Sequence, residues 1–174
     1  MSLFVPKYYA RSIYDIPLEF YKKENIKIIF CDLDNTLDAF YENEPTTKAL
    51  ELVEKFKKNN IKFIITSNNH GDRVHRYAEK LNVECHYSSK KPLSYKLNKF
   101  IKKKGFNKSD ILMIGDQELT DVICSKLLKV RCLLTEPLVK NDLPVTKINR
   151  FIDKRIRKII RKKLLKVEVK NEQY

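Results

Sequence analysis

The chain has no apolar run approaching the roughly 20 residues needed to span a bilayer, so no membrane-spanning helix is expected. Its opening residues, Met-Ser-Leu-Phe-Val-Pro-Lys-Tyr-Tyr, lack an apolar core of signal-peptide length, and a cytoplasmic protein is expected. No two of its four cysteines, Cys31, Cys85, Cys124 and Cys132, stand at Cys-x-x-Cys spacing. Three of them lie in or beside apolar runs, which reads as reduced, packed thiols rather than a disulfide framework. The spacing of these cysteines relative to His70, His75 and His86 does not favour a zinc site. There is no internal repeat, low-complexity tract or Pro/Gly-rich linker, so the 174 residues fit one domain of ordinary size. Acids are nearly missing from residues 147–166, where ten lysines and arginines face the single acid Asp153. That segment supplies +9 of the net +14, and it divides the chain into a domain over 1–146 and a basic extension over 147–174.

What is present is an alternation. Five apolar strand candidates, at Lys27–Cys31, Lys62–Thr66, Val83–His86, Ile111–Ile114 and Val130–Leu134, are separated by helix-like stretches. Thr46–Asn59 has threonines placed to cap it and Leu50, Val53 and Phe56 at helical spacing. Asp72–Leu81, Leu93–Lys104 (stopped at Gly105) and Leu119–Leu128 follow. Strands connected by such crossovers imply an α/β protein with a doubly wound parallel sheet.

The first apolar strand stops at Asp32 and Asp34. Two carboxylates at a C-terminal strand edge lie where an α/β sheet opens its ligand crevice. They repel each other unless a cation intervenes or one keeps its proton. The pair therefore reads either as a metal-assisted site or as an Asp/Asn-rich turn with Asp34 capping a helix. Three later strand ends carry related groups. Ser67, Asn68 and Asn69 follow the second strand and offer a hydroxyl, amides and backbone N–H groups to an anionic oxygen, or cap a helix. Lys91 precedes Pro92 at the start of the third helix, an ordinary place for a surface lysine. Gly115-Asp116 closes the fourth strand, and Asp121 follows five residues later, able to fold back towards Asp116 or to complement a helix dipole.

The order Asp-x-Asp, Ser, Lys, Gly-Asp-(x)4-Asp on successive strand ends resembles the four motifs of the haloacid dehalogenase (HAD) superfamily of phosphohydrolases. Ser12-Ile13-Tyr14-Asp15-Ile16, Asp32-Leu33-Asp34-Asn35-Thr36-Leu37, Ser67-Asn68-Asn69, Lys91-Pro92, Gly115-Asp116-Gln117 with Thr120-Asp121, and Thr146-Lys147-Ile148-Asn149-Arg150 are together similar to the YqeG-like family, subfamily IIIA. The helix after Asp121 departs from the pattern by lacking glycine. The resemblance implies a HAD-like Rossmannoid fold and Mg²⁺-dependent phosphomonoester hydrolysis. In that scheme Asp32 is the nucleophile that forms an aspartyl-phosphate and Asp34 the acid/base. Asp32, the Asp34 carbonyl and Asp116 hold Mg²⁺; Ser67, Asn68 and Lys91 bind phosphate; Asp121 supports them.

The gaps from Asp34 to Ser67 and from Ser67 to Lys91 leave no room for a cap domain, and an open site suits a phosphate carried on something large. Ile148, Ile156, Leu164 and Val167 recur on one side of an expected basic amphipathic C-terminal helix. Such a helix either contacts an anionic membrane peripherally, at the inner face, or packs on the domain. The family resemblance implies a lipid phosphate such as phosphatidylglycerophosphate as substrate. The alternatives are a phosphatase of protein, nucleotide or sugar phosphates, or a basic nucleic-acid-binding module. Against the last stand the missing recognition motif and a carboxylate cluster that would repel a polyanion.

Overall fold

The computed structural model describes residues 3–139 together with Arg155, Ile156 and Lys158. Six strands, β1 (Tyr8–Ala10), β2 (Ile28–Cys31), β3 (Lys62–Thr66), β4 (Glu84–His86), β5 (Ile111–Gly115) and β6 (Arg131–Thr135), form one parallel sheet ordered β1-β6-β5-β2-β3-β4. The helices are α1 (Leu18–Lys23), α2 (Thr47–Lys58), α3 (Gly71–Leu81), α4 (Tyr95–Lys104) and α5 (Ile123–Leu128). The doubly wound α/β sheet expected from the alternation is therefore the observed architecture.

The period-2 alternation of a strand sends successive side chains to opposite faces, and the core divides accordingly. Ile29, Cys31, Phe63, Ile65, Leu112 and Ile114 pack with Tyr21 of α1, Val53 and Phe56 of α2 and Val74 and Tyr77 of α3. Ile28, Phe30, Ile64, Ile111 and Met113 pack on the other face with Leu97 and Ile101 of α4 and Cys124 and Leu128 of α5. All four residues of β2 are buried, as a central strand covered on both faces requires. From β2 the chain winds outward to β3 and β4, then returns to β5 on the opposite side. The crevice of such a sheet opens where the winding reverses, beyond the carboxyl ends of β2 and β5.

Local signals held where a side chain acts on its own backbone. Thr46 caps α2 through its hydroxyl, and Gly105 ends α4 at φ 67°, a left-handed conformation that costs glycine little. Two helix starts differ by more than one residue from those expected, and one strand was not expected. The third predicted helix begins at Tyr95 rather than Leu93, because the Leu93 N–H closes a turn on the Lys90 carbonyl and the helix starts only after Ser94. The fourth begins as a single π-turn over Glu118–Val122 that runs into α5. The sixth strand, β1, has three half-buried residues and no apolar period. It exists because β6 offers it a parallel partner, Tyr8 opposite Leu133 through Ala10 opposite Thr135.

The stretch from Asp34 to Ser67 is occupied by a loop, α2 and β3, and that from Ser67 to Lys91 by α3 and β4. The basic helix and the boundary expected at 146/147 lie outside the described residues, apart from three positions. Ile156 packs against the cluster of Val122, Cys132 and Leu134, while Arg155 and Lys158 are exposed. All four cysteines are free, and burial pushes the thiols of Cys124 and Cys132 up to about 12, so neither forms a thiolate readily. No helix among the described residues is long and apolar enough to cross a membrane.

Candidate active site

Asp32 directly follows β2 and Asp116 follows β5, so the parallel pairing of these strands sets the two carboxylates side by side at the crevice. The Asp32 N–H donates to the carbonyl of Ile114 at 2.9 Å, which extends the ladder by one residue and fixes where the side chain leaves the sheet. Asp121 joins them from the π-turn. Its main-chain N–H donates to the Gln117 carbonyl, and its Oδ2 accepts from the Gln117 N–H and the Thr120 hydroxyl, both at 3.3 Å. Oxygens of Asp32, Asp116 and Asp121 lie within 4.8 Å of one another, and all three residues are buried.

Gly115 makes this approach possible. A Cβ at that position would stand 2.2 Å from Asp121 Cγ and 2.3 Å from its Oδ2. Gly115→Ala must therefore push Asp121 out of place. We expect a loss of about 1–3 kcal/mol, as in other overpacked sites, measured as a lower urea midpoint at unchanged m-value. An unchanged midpoint would show that Asp121 can move at no cost.

One buried cation faces the three acids. Lys91 Nζ donates to Asp32 Oδ1 at 2.6 Å, to Asp121 Oδ1 at 2.7 Å and to the Thr66 carbonyl at 3.1 Å, so all three ammonium protons are used. Burial works to lower the affinity of Lys91 for its proton, but Asp121 and Asp32 outweigh it and the ammonium is held charged. The Asp32 carboxyl is pushed well up, first by burial and then by Asp121, Asp116 and Asp34, with Lys91 opposing. The cluster thus holds more negative charge than its lysine can neutralise. Its donors are carboxylate oxygens, the ligands preferred by a small hard cation such as Mg²⁺, so the residues fit that ion.

Ser67, at the end of β3, is buried, and its Oγ accepts from the Asn69 N–H at 3.1 Å, which leaves the hydroxyl proton to donate elsewhere. Asn68 holds the main chain of Lys91. Its amide donates to the Lys91 carbonyl at 2.8 Å and accepts from the Lys91 N–H at 2.7 Å, clasping the main chain that carries the buried ammonium. The Asp34 carboxylate is gripped at both oxygens, by Arg73 Nη1 at 2.5 Å and Asn69 Nδ2 at 2.6 Å. Arg73 also donates through Nε and Nη2 to the Glu42 carbonyl, tying α3 to the loop after β2.

Sequence reading placed Asp32, Asp34, Ser67, Asn68, Lys91, Asp116 and Asp121 at one edge and did not find Arg73. A clue existed: a basic residue in the first turn of a helix opposes the helix dipole and needs a compensating partner, which here is Asp34. Thr36, four residues beyond Asp32, also reaches the site: its hydroxyl lies 3.4 Å from Asp116 Oδ1.

Residues 1–139 match a family profile described as mitochondrial PGP phosphatase. The chain is 32% identical over 162 residues to the Bacillus subtilis (strain 168) protein named "Probable phosphatase YqeG", covering 93% of this chain and 94% of that one. Among solved structures, it is similar to an uncharacterized protein from Listeria monocytogenes serotype 4b (TM-score 0.53, 15% identity, 68% of this chain and 85% of that one). It is also similar to 3-deoxy-D-manno-octulosonate 8-phosphate phosphatase from Yersinia pestis (TM-score 0.50, 11% identity, 74% and 83%). At these identities the structural likeness shows a shared fold.

Proposed function

The chain belongs to the mitochondrial PGP phosphatase family of HAD-type phosphatases, and from that membership we propose that it hydrolyses a lipid-borne phosphomonoester, such as phosphatidylglycerophosphate, through an aspartyl-phosphate on Asp32. The observation that carries the chemistry is the buried set of three carboxylates around one ammonium at the switch point of the sheet.

Phosphate-ester hydrolysis is slow in water, and most of the catalytic gain comes from positioning and charge neutralisation. An Asp32 oxygen attacks phosphorus and the bond to the leaving alkoxide breaks. Asp34 gives that alkoxide a proton, then takes one from the water that attacks the aspartyl-phosphate, releasing inorganic phosphate and restoring Asp32. Lys91 offsets charge on the nucleophile, and Ser67 donates its free proton to a phosphoryl oxygen. Asn68 holds Lys91 in place through its main chain, Asp121 orients the ammonium, and Arg73 with Asn69 sets the rotamer of Asp34. Mg²⁺, held by Asp32, Asp116 and the Asp34 carbonyl, would neutralise the acidic cluster and the phosphoryl oxygens.

An open crevice supports a large substrate. Among the described residues the two inter-motif segments hold a loop, α2 and β3, and then α3 and β4, with no separate domain to cover a small metabolite. Work at an anionic leaflet, with the 147–174 extension as a separate basic element, belongs to the same proposal. A phosphate-release panel with Mg²⁺ tests it. We expect kcat/KM for phosphatidylglycerophosphate to exceed that for soluble sugar, nucleotide and peptide phosphates by about 10²-fold, a modest share of the binding energy a large substrate can contribute. Equal or better turnover of a soluble phosphomonoester would overturn the lipid assignment and leave the hydrolytic chemistry standing.

A further inference from the structure

Of the eight large apolar side chains exposed among the described residues, five (Tyr41, Tyr87, Leu93, Tyr95 and Leu138) lie on segments that follow the carboxyl ends of β2, β4 and β6. Random scatter would place them at both edges of the sheet; they collect at the edge that holds the crevice. Three come from one short stretch, the connection from β4 into the first turn of α4, which also carries Lys91. Tyr87 is 43% exposed, Leu93 56% and Tyr95 56%. The stretch is held compact by its own bonds: Leu93 N–H donates to the Lys90 carbonyl, Lys96 Nζ to the Ser88 carbonyl, and Ser89 N–H to the Ser67 carbonyl. These exposed side chains are thus presented on a fixed platform beside the phosphate-handling residues.

The charge around them has one sign. Residues 85–99, from the end of β4 into the second turn of α4, contain four lysines and no aspartate or glutamate. Lys91 is buried in the crevice, whereas Lys90 in the connection and Lys99 in the second turn of α4 are exposed; the exposed Lys102, Lys103 and Lys104 lie in the last turn of α4, away from the rim. Tyrosine and leucine tips set among exposed lysines are the composition of a surface that enters the headgroup region of an anionic bilayer. Aromatic rings favour the interface, an aliphatic chain reaches the acyl boundary, and lysines near the leaflet are attracted to its anionic headgroups.

We infer that the Tyr87–Tyr95 rim is a membrane-docking surface that seats the crevice directly on an anionic lipid bilayer. This rests on the lipid-substrate reading above and adds to it the face of the molecule that meets the membrane. It is distinct from the 147–166 segment. The rim decides how the crevice is oriented on the bilayer, since it lies on the loop that delivers Lys91.

The test compares the full-length protein with its Leu93→Ser/Tyr95→Ser variant. Both side chains are exposed, so folding should be unaffected, with Tm as the check. Sedimentation with phosphatidylglycerol vesicles should fall by about tenfold in partition coefficient, equivalent to about 1.4 kcal/mol. Turnover of soluble p-nitrophenyl phosphate and the light-scattering mass should not change. Leu93→Trp should bind the same vesicles more tightly than wild type. The basic extension is present in every protein compared, so its contribution cancels. Vesicle binding within twofold of wild type in the double variant would overturn the inference, as would a change of mass with binding intact, which would make the rim a contact between copies. Because these vesicles carry no phosphomonoester, the result stands or falls independently of which substrate is hydrolysed.

Discussion

Asp32→Asn is expected to reduce Mg²⁺-dependent phosphate release by on the order of 10⁴-fold or more, because an amide cannot form the acyl phosphate. The same change should leave the fold intact and the metal-free protein no less stable. In the ground state Asp32 is one of three clustered buried acids, two of which bond to Lys91, and burial together with its acidic neighbours already pushes its carboxyl up. Removing one negative charge relieves that repulsion, at the expense of one bond to Lys91, 2.6 Å long. The second readout is therefore thermal. The wild type should gain Tm on addition of Mg²⁺, and the variant should gain much less, since a carboxylate donor is gone. Turnover within tenfold of wild type in Asp32→Asn would sink the assignment of the nucleophile, whatever the substrate.

Lys91→Met should fail in both activity and stability. The ammonium makes three hydrogen bonds and separates two buried carboxylates, with its side chain only 2% exposed. Breaking a buried pair from one side leaves charge without its partner and costs about 3–5 kcal/mol. For a chain of this size that is a fall in Tm on the order of 10 °C. Loss of transition-state charge neutralisation should lower kcat by about 10³-fold. Mg²⁺ should recover part of the lost Tm, because a second cation can take over neutralisation of the cluster, but little of the activity. The proton affinity of Lys91 is raised in the folded state, so its stabilising contribution is complete below the free-lysine value of 10.5 and is lost only at more alkaline pH. A Lys91→Met protein as stable as wild type at neutral pH would show that the cluster is not an ion-pair network in solution.

Much of this was legible in one dimension. Strand and helix alternation specified a parallel doubly wound sheet, because crossover connections of that length permit little else. Each strand-end residue was visible as a polar group that interrupts an apolar run: Asp32 after Ile28–Cys31, Ser67 after Lys62–Thr66, Asp116 after Ile111–Gly115. Lys91 was not visible on its own. A lysine before a proline is ordinarily solvated, and only its place in the ordered set distinguished it. Edge strand β1 escaped because a three-residue, half-buried strand has no period to read. The docking rim escaped because Tyr87, Leu93 and Tyr95 look like candidate core residues until burial shows that they are left out of it.

The amino-acid sequence by itself determined the class of sheet, the strand ends that carry chemistry and the supply of carboxylates, since these follow from hydrophobic period and local capping. Tertiary structure alone decided how those groups are paired. It placed Lys91 between Asp32 and Asp121, gave Asp34 to Arg73 and Asn69, and spent the Asn68 amide on the Lys91 main chain. The physical reason is separation along the chain: these partners are tens of residues apart and meet only because neighbouring parallel strands bring their C-terminal ends to one crevice, where Gly115, bare of a side chain, lets Asp121 fold in against them.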